Sequence, residues 1–189
     1  MFRQKGAEYF NPDEAARRIL SVNPAITQEK ANSAAWNEGK RLLERAIDER
    51  CNFAFETTLG GHTIAALLGK ALSAGMEVRV WYVGLESPEL HIARVRSRVK
   101  KGGHEIPEAK IRERYVRSRW NLIQLIPKLT EVIVYDNSEE ADPHSGLAPN
   151  PKLMLHAVKG KAVAMCDLKG APNWAKPILM AALNASDKG

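Results

Sequence analysis

The stretch CNFAFETTLGG, residues 51–61, places an acid and two hydroxyls at the end of a short apolar run. The apolar run is Phe53 to Phe55, and Glu56, Thr57 and Thr58 follow it before the chain reaches a glycine pair. A carboxylate directly after buried apolar residues is costly unless something requires it, because burial removes its hydration. We therefore interpret residues 53–55 as a short buried strand whose end carries part of a binding site.

Strand and helix signals alternate on both sides of this stretch. Such an alternation predicts an α/β fold with a parallel sheet. The predicted strands are residues 7–10, 53–55, 78–85 and 132–135, and the predicted helices are residues 12–20, 27–50, 64–74, 89–101 and 107–126. Residues 138–151 are rich in turn formers and predict a loop. Beyond it, residues 152–158 and 161–167 predict a hairpin at the sheet edge, and residues 174–183 predict a final helix interrupted by Pro177.

Length and charge limit the classes of function. The chain has 189 residues, which predicts a single domain with a core at about residues 7–138 and an edge extension at 150–189. The net charge of +6 suits an anionic partner, and a nucleotide, a nucleotide sugar or a nucleic acid would each fit. Two distant cysteines argue against a disulfide framework or a zinc site. The absence of a long apolar run predicts a cytoplasmic protein without a membrane span.

A second acid follows the first predicted strand. Asn11, Pro12 and Asp13 read as a helix start, with Asn11 as a plain N-cap. Because the carboxyl ends of parallel strands lie at one edge of a sheet, we expect Asp13 and Glu56 to lie at the same edge. Asp13 could accept a proton from an acceptor hydroxyl or hold magnesium through water. The alternative is a first-turn acid that interacts favourably with the helix dipole.

Arginines dominate two consecutive predicted helices. Arg94 and Arg98 are four residues apart and share a helix face, so they could converge on one phosphate. The glycine pair at 102–103 permits a hinged lid. We expect the cations at positions 96, 100, 101 and 119 to be a solvated face, whereas Arg112 and Arg114 fit either ion pairs or a site. The cluster could instead follow a nucleic-acid backbone, although Trp120 fits the apolar core better than a stacking platform.

Together, NPD at 11–13, FETTL at 55–59 and RVRSRVKKGGHEIP at 94–107 make this chain resemble the zeta toxin family of P-loop kinases. The best-characterised members of that family phosphorylate UDP-N-acetylglucosamine. The resemblance covers roughly residues 9–138. It implies a three-layer α/β sandwich with a mostly parallel sheet, ATP and Mg²⁺ as cofactors, a nucleotide sugar as substrate, and an antitoxin protein as a possible partner.

The resemblance also implies roles for particular residues. Asp13 matches the catalytic carboxylate, and Glu56 and Thr58 match the pair that holds the acceptor. Arg94 and Arg98 fall where a charge-stabilising arginine is expected. Residues near the expected nucleotide site are His104, Arg114, Asp136 and Asn137, whereas Ser138 reads as a simple turn residue. An arginine that many members carry shortly after FETTL is replaced here by residues of the Gly60–His62 segment.

One part of the family pattern is absent. No GxxxxGK[ST] loop precedes Tyr9, although that loop cradles the phosphates in P-loop kinases and its strand lies centrally in their sheet. We expect the polypeptide as written to be a poor kinase. Either the reading frame begins upstream, which the joint presence of Asp13, Glu56 and Thr58 favours, or the chain is a degenerate relative. The alternative function is a non-catalytic module that binds a nucleotide or RNA.

Overall fold

The computed structural model describes residues 8–139 and 150–186. These residues form two compact units. The N-terminal unit contains residues 8–58 and 66–76, and the C-terminal unit contains residues 59–65, 77–139 and 150–186.

Helices and strands alternate along most of the described chain. In order they are β1 Glu8–Phe10, α1 Pro12–Val22, α2 Gln28–Glu49, β2 Phe53–Phe55, α3 His62–Ser73, β3 Arg79–Gly84, α4 Pro88–Lys100, α5 Glu108–Leu125, β4 Glu131–Asp136, β5 Lys152–Val158, β6 Lys161–Met165 and α6 Lys176–Ser186. A 3₁₀ turn, Ile126–Lys128, follows α5.

The N-terminal unit is built on a parallel strand pair and two packed helices. β1 and β2 pair with Phe10 opposite Phe55. Asn11 caps α1, and the side chain of Thr27 caps α2 by accepting a hydrogen bond from the Lys30 amide. α1 and α2 pack through small side chains, since Ala16, Ala31 and Ala35 are all buried. Small residues at such a contact let two helices approach closely.

Gly39 of α2 allows the helix to pack against β1. A Cβ atom at Gly39 would lie 2.6 Å from Cε1 of Phe10, so the phenyl ring occupies the space that a side chain would need. This contact explains why glycine, a residue of poor helix propensity, lies in the middle of α2.

The C-terminal unit is built on a four-stranded sheet in the order β3-β4-β5-β6. β3 and β4 are parallel, and β5 and β6 add antiparallel strands. Helices α5 and α6 contribute the other half of the core. The fully buried side chains include Leu122, Ile126, Leu129, Val132, Val134, Leu155, Ile178 and Leu179.

Gly84 ends β3 beneath a buried tryptophan. A Cβ atom at Gly84 would lie 2.2 Å from the ring of Trp174, which is 2% exposed. The indole also contacts Tyr82, with ring centroids 6.3 Å apart. Only glycine leaves room for this ring.

The structure confirms the predicted α/β fold with parallel-containing sheets and the hairpin of β5 and β6. Two expectations about these elements are corrected. The strand at residues 53–55 is half-buried rather than buried. Pro177 does not interrupt α6, because it lies in the first turn, where its missing N–H has no intrahelical partner to lose. Much of the predicted loop at 138–151 lies outside the described residues.

Trp120 is 60% exposed, so its predicted place in the core is wrong. The buried side of α5 carries Ser118, Leu122 and Leu125, which recur at helical spacing. Trp120 lies two residues from both Ser118 and Leu122, and this spacing puts it on the opposite side of the helix. In the described ranges, none of the helices has both the length and the apolar character that crossing a bilayer requires.

Candidate functional site

The ends of β1 and β2 bring three polar side chains of the N-terminal unit together. The Glu56 amide donates to the Phe10 carbonyl at 3.1 Å, which extends the parallel ladder by one step beyond β2. Glu56 therefore lies level with Asn11. Because side chains alternate along a strand, Tyr9, Asn11 and Glu56 lie on the same face.

Two donors hold the carboxylate of Glu56. The Tyr9 hydroxyl donates to Oε1, and Nδ2 of Asn11 donates to Oε2 at 2.9 Å. The hydrogen bond to Glu56 is the main cause that raises the pKa of Tyr9 above its ordinary value, since the phenol must stay protonated to donate. Each carboxylate oxygen thus has one fixed donor, and Glu56 itself remains exposed.

Asn11 performs a second task with the other end of its amide. Its Oδ1 accepts hydrogen bonds from the backbone amides of Asp13 at 2.9 Å and Glu14 at 3.1 Å. These bonds satisfy two of the unpaired amides in the first turn of α1. The side chain of Asn11 therefore connects Glu56 with the start of the helix that carries Asp13.

Sequence reasoning named Asp13, Glu56 and Thr58 here, and all three are exposed. It missed Tyr9, and it took Asn11 for a plain cap. The parallel register could have predicted both, because positions 9 and 11 fall on the face of position 56. Tyr9 and Asn11 also border an open cleft of about 250 Å³ between α1 and α2, whose other polar lining includes Glu14, Arg18 and Glu38.

Most arginines of the C-terminal unit contact other groups of the protein. Arg112 pairs with Glu89 at 2.6 Å, Arg117 pairs with Glu113 at 2.7 Å, and Arg96 pairs with Glu108. Arg119 stacks on Tyr115, with its guanidinium carbon 4.0 Å from the ring centroid. Arg112, which fitted either an ion pair or a site, is therefore in an ion pair.

Arg94 and Arg98, predicted to act together, have different surroundings. Arg94 is half-buried, and its guanidinium donates to the carbonyls of Glu139 at 3.2 Å and Ser138 at 3.5 Å. Arg98 is exposed, and within residues 8–139 and 150–186 its guanidinium has no hydrogen-bond or ion-pair partner. Arg94 thus holds the segment after β4, whereas Arg98 is exposed.

Arg114 lies over the backbone that follows the FETT segment. A Cβ atom at Gly60 would be 2.7 Å from Cγ of Arg114, so the glycine makes room for the arginine stem. Asn121 holds the same segment from α5 by donating to the carbonyls of Leu59 at 2.8 Å and Gly61 at 3.2 Å. His104 is half-buried in the connection between α4 and α5.

Asp136 organises the end of β4. Its Oδ1 accepts from the Ser138 amide at 3.2 Å, from the Ser138 hydroxyl, and from Nε1 of Trp174 at 3.3 Å. Ser138 Oγ in turn accepts from the Glu86 amide at 2.7 Å, which links the ends of β3 and β4. Ser138 therefore does more than complete a simple turn, and Oδ1 of Asp136 is occupied by protein donors.

Comparison with known proteins gives a family. The sequence model described as Zeta toxin matches residues 10–145. This chain belongs to the zeta toxin family. It is also similar to an uncharacterized protein of Haemophilus influenzae, at 33% identity over 103 residues that make up 54% of this chain and 71% of that protein. No solved structure gives a significant match.

Membership of the zeta toxin family confirms the predicted family and supports a P-loop kinase-like function. The roles predicted for individual residues stay predictions. The donor site of such kinases is not supplied by the printed sequence, because it contains no GxxxxGK[ST] loop. In the described part of the chain, moreover, no group of three or more His, Cys, Asp or Glu side chains could hold a metal ion. The printed residues therefore do not include the phosphate-binding loop that holds ATP in P-loop kinases.

Proposed function

We propose that this protein is a zeta-type small-molecule kinase whose N-terminal unit binds the phosphoryl acceptor, a hydroxyl of a nucleotide sugar such as UDP-N-acetylglucosamine. The observation that carries the proposal is the exposed Glu56 carboxylate held by Tyr9 and Asn11. An ionised carboxylate has about four lone-pair positions, and only two are taken by these donors. The remaining positions can accept hydrogen bonds from sugar hydroxyls.

The family pattern suggests how the other residues contribute. Asp13 accepts the proton of the acceptor hydroxyl, and Thr58 adds a hydroxyl contact beside Glu56. Arg98 provides positive charge for the transferring group, and Arg94 acts with it by holding the segment after β4. Contacts to the nucleotide come from His104, Arg114, Asp136 and Asn137. ATP and Mg²⁺ are the cofactors that the family pattern suggests, and because the printed residues contain no GxxxxGK[ST] loop, we expect transfer from ATP to be weak.

The biological role follows from the family in the same way. Phosphorylation of a nucleotide sugar would remove a cell-wall precursor, and a protein with that activity would need an antitoxin partner in the cell that makes it. We also propose that the protein acts in the cytoplasm as a single kinase domain.

Calorimetric titration of residues 1–189 with UDP-N-acetylglucosamine tests the proposal. We expect saturable binding that Glu56→Ala abolishes. Glu49→Ala is the matched control, because Glu49 is an exposed glutamate of the same unit, on α2. No binding by the wild type, or equal binding by Glu56→Ala, would contradict an acceptor site at Glu56. Phosphate transfer from ATP should be weak in the same preparation.

One observation favours a second candidate, an RNA-binding module. Trp120 and Val116 are each 60% exposed on α5, which also carries several arginines. An exposed aromatic among cations is a stacking platform for single-stranded nucleic acid. Binding of an RNA oligonucleotide that falls steeply with salt and is lost in Trp120→Ala would favour this module. The ion pairs of Arg112 and Arg117 count against it, because they neutralise part of that charge.

A further inference from the structure

Asn11 makes hydrogen bonds with both ends of its side-chain amide. Its oxygen accepts from the amides of Asp13 and Glu14, and its nitrogen donates to Glu56 at 2.9 Å. A plain N-cap needs only the first of these contacts. The second contact crosses from the end of β1 to the end of β2, 45 residues along the chain.

We propose that Asn11 is a positioning residue that ties the Glu56 carboxylate to the first turn of α1, and thereby sets the place of Glu56 relative to Asp13. The consequence for ligand binding rests on the proposed function. If Glu56 binds the acceptor, Asn11 is necessary for that binding. The hydrogen-bond link itself is a property of the free protein. It can be tested without any ligand.

The choice of asparagine supports this inference. Serine and aspartate cap helices about as well as asparagine, so capping alone does not select it. Asparagine carries the acceptor for the helix amides and the donor for the carboxylate on two separate atoms, Oδ1 and Nδ2, whereas serine has one shorter hydroxyl for both tasks. Aspartate has no donor and would place a second negative charge against Glu56.

Tyr9 completes the arrangement. It donates to Oε1 from β1, while Asn11 donates to Oε2 from the residue that directly follows β1. A carboxylate with one donor on each oxygen cannot rotate freely about its terminal bond. The face that remains open is therefore presented in one orientation, which lowers the entropy lost when a hydroxyl binds.

The first experiment observes the link directly in the free protein. The side-chain amide of Asn11 gives two ¹H–¹⁵N signals, which are assigned by their disappearance in Asn11→Ser. We expect Glu56→Ala to shift these signals and to speed their exchange with water, whereas Glu49→Ala leaves them unchanged. Signals that do not respond to Glu56→Ala would overturn the inference.

The second experiment separates capping from positioning. Asn11→Ser keeps a capping oxygen and removes the Nδ2 amide that donates to Glu56, and Asn11→Ala removes both. We expect both variants to bind UDP-N-acetylglucosamine about tenfold more weakly or worse, since a hydrogen bond to a charged group is lost. Only Asn11→Ala should melt at a clearly lower temperature. Thr27→Ser and Thr27→Ala make the same pair of changes at the cap of α2, and both should bind normally.

The outcomes distinguish the two proposals. If Asn11→Ser binds like the wild type, Asn11 is only a cap and the positioning role is overturned. If the wild type itself binds no nucleotide sugar, the proposed function fails. In that case the amide signals of Asn11 in Glu56→Ala decide alone whether the link to Glu56 exists.

Discussion

The carboxylate cluster at Glu56 and the arginine helices α4 and α5 use charge in opposite ways. Around Glu56, neutral donors from Tyr9 and Asn11 approach an exposed carboxylate and leave its charge uncompensated. On α4 and α5, Arg112 and Arg117 meet acids that cancel their charge. Hydrogen bonds from neutral donors prepare a charged group for a ligand, whereas an ion pair gives it a protein partner instead.

The number of arginines in the C-terminal unit overstates the positive charge that is free of protein partners, because several of these arginines are in ion pairs. Arg94 and Arg98 occupy one helix face, yet Arg94 holds backbone carbonyls and Arg98 faces solvent. The site at Glu56 has a single charged group, but the register of two strands fixes the donors that hold it. Fixed geometry, rather than the number of charges, is the better indicator of a site.

The largest effect is expected at Gly84, which lies directly against the buried Trp174 ring of the C-terminal unit. Gly84→Ala should lower the free energy of unfolding by about 3 kcal/mol, because its methyl group would overlap the buried Trp174 ring. Gly39→Ala in the N-terminal unit should cost less, since Phe10 is half-buried and alanine favours the helix.

Chemical denaturation measures both changes. Gly69→Ala serves as the control, because no atom lies within 4 Å of its added Cβ and it should leave stability equal or higher. Equal losses of unfolding free energy at positions 39 and 84 would contradict the expectation that an added methyl group is tolerated less well at Gly84 than at Gly39.

A smaller effect should separate Arg94 from Arg98. Arg94→Met removes the donor to the carbonyls of Ser138 and Glu139, so backbone amides of residues 136–139 should exchange with solvent about tenfold faster, as expected for the loss of roughly 1.4 kcal/mol. Arg98→Met, one turn further along α4, should leave that exchange unchanged. Hydrogen exchange read by mass spectrometry gives the answer, and faster exchange in both variants would mean that the arginines share one role.

The smallest expected effect is a change in the pKa of Tyr9 in the N-terminal unit, with Tyr115 of the C-terminal unit as the comparison. The pKa of Tyr9 is raised chiefly by its hydrogen bond to Glu56, whereas the pKa of Tyr115 is raised chiefly by burial. Glu56→Ala should return only Tyr9 towards the ordinary value of 10.0. The raised pKa means that the Tyr9 contribution to stability is present below pH 10.0 and is lost as pH rises through the folded-state pKa. NMR titration of the tyrosine Cζ signals tests this, and an unchanged Tyr9 would remove the hydrogen bond from the account.

Local patterns in the sequence were sufficient for much of this structure. Asn11 and Thr27 predicted two helix starts, and FETTL predicted where β2 ends and the carboxylate follows. These features depend on neighbours in the chain. The family resemblance pointed to Glu56 as part of the site, and that role stays a prediction.

Features that depend on distant residues could not be read in the same way. The second bond of Asn11 needs the register of β1 against β2, and the partners of Arg94 and Arg112 lie on other elements. Trp120 was misplaced because an apolar neighbourhood in sequence was taken for a buried helix face. In each case the sequence supplied the chemical group, and the tertiary structure determined its partner.

The most direct test of the central claim is chemical-shift mapping of the free protein during titration with UDP-N-acetylglucosamine. We predict that the largest changes occur at the side chains of Tyr9, Asn11 and Glu56 and saturate together. Changes confined to α4 and α5, or no saturable change at all, would contradict an acceptor site built on Glu56.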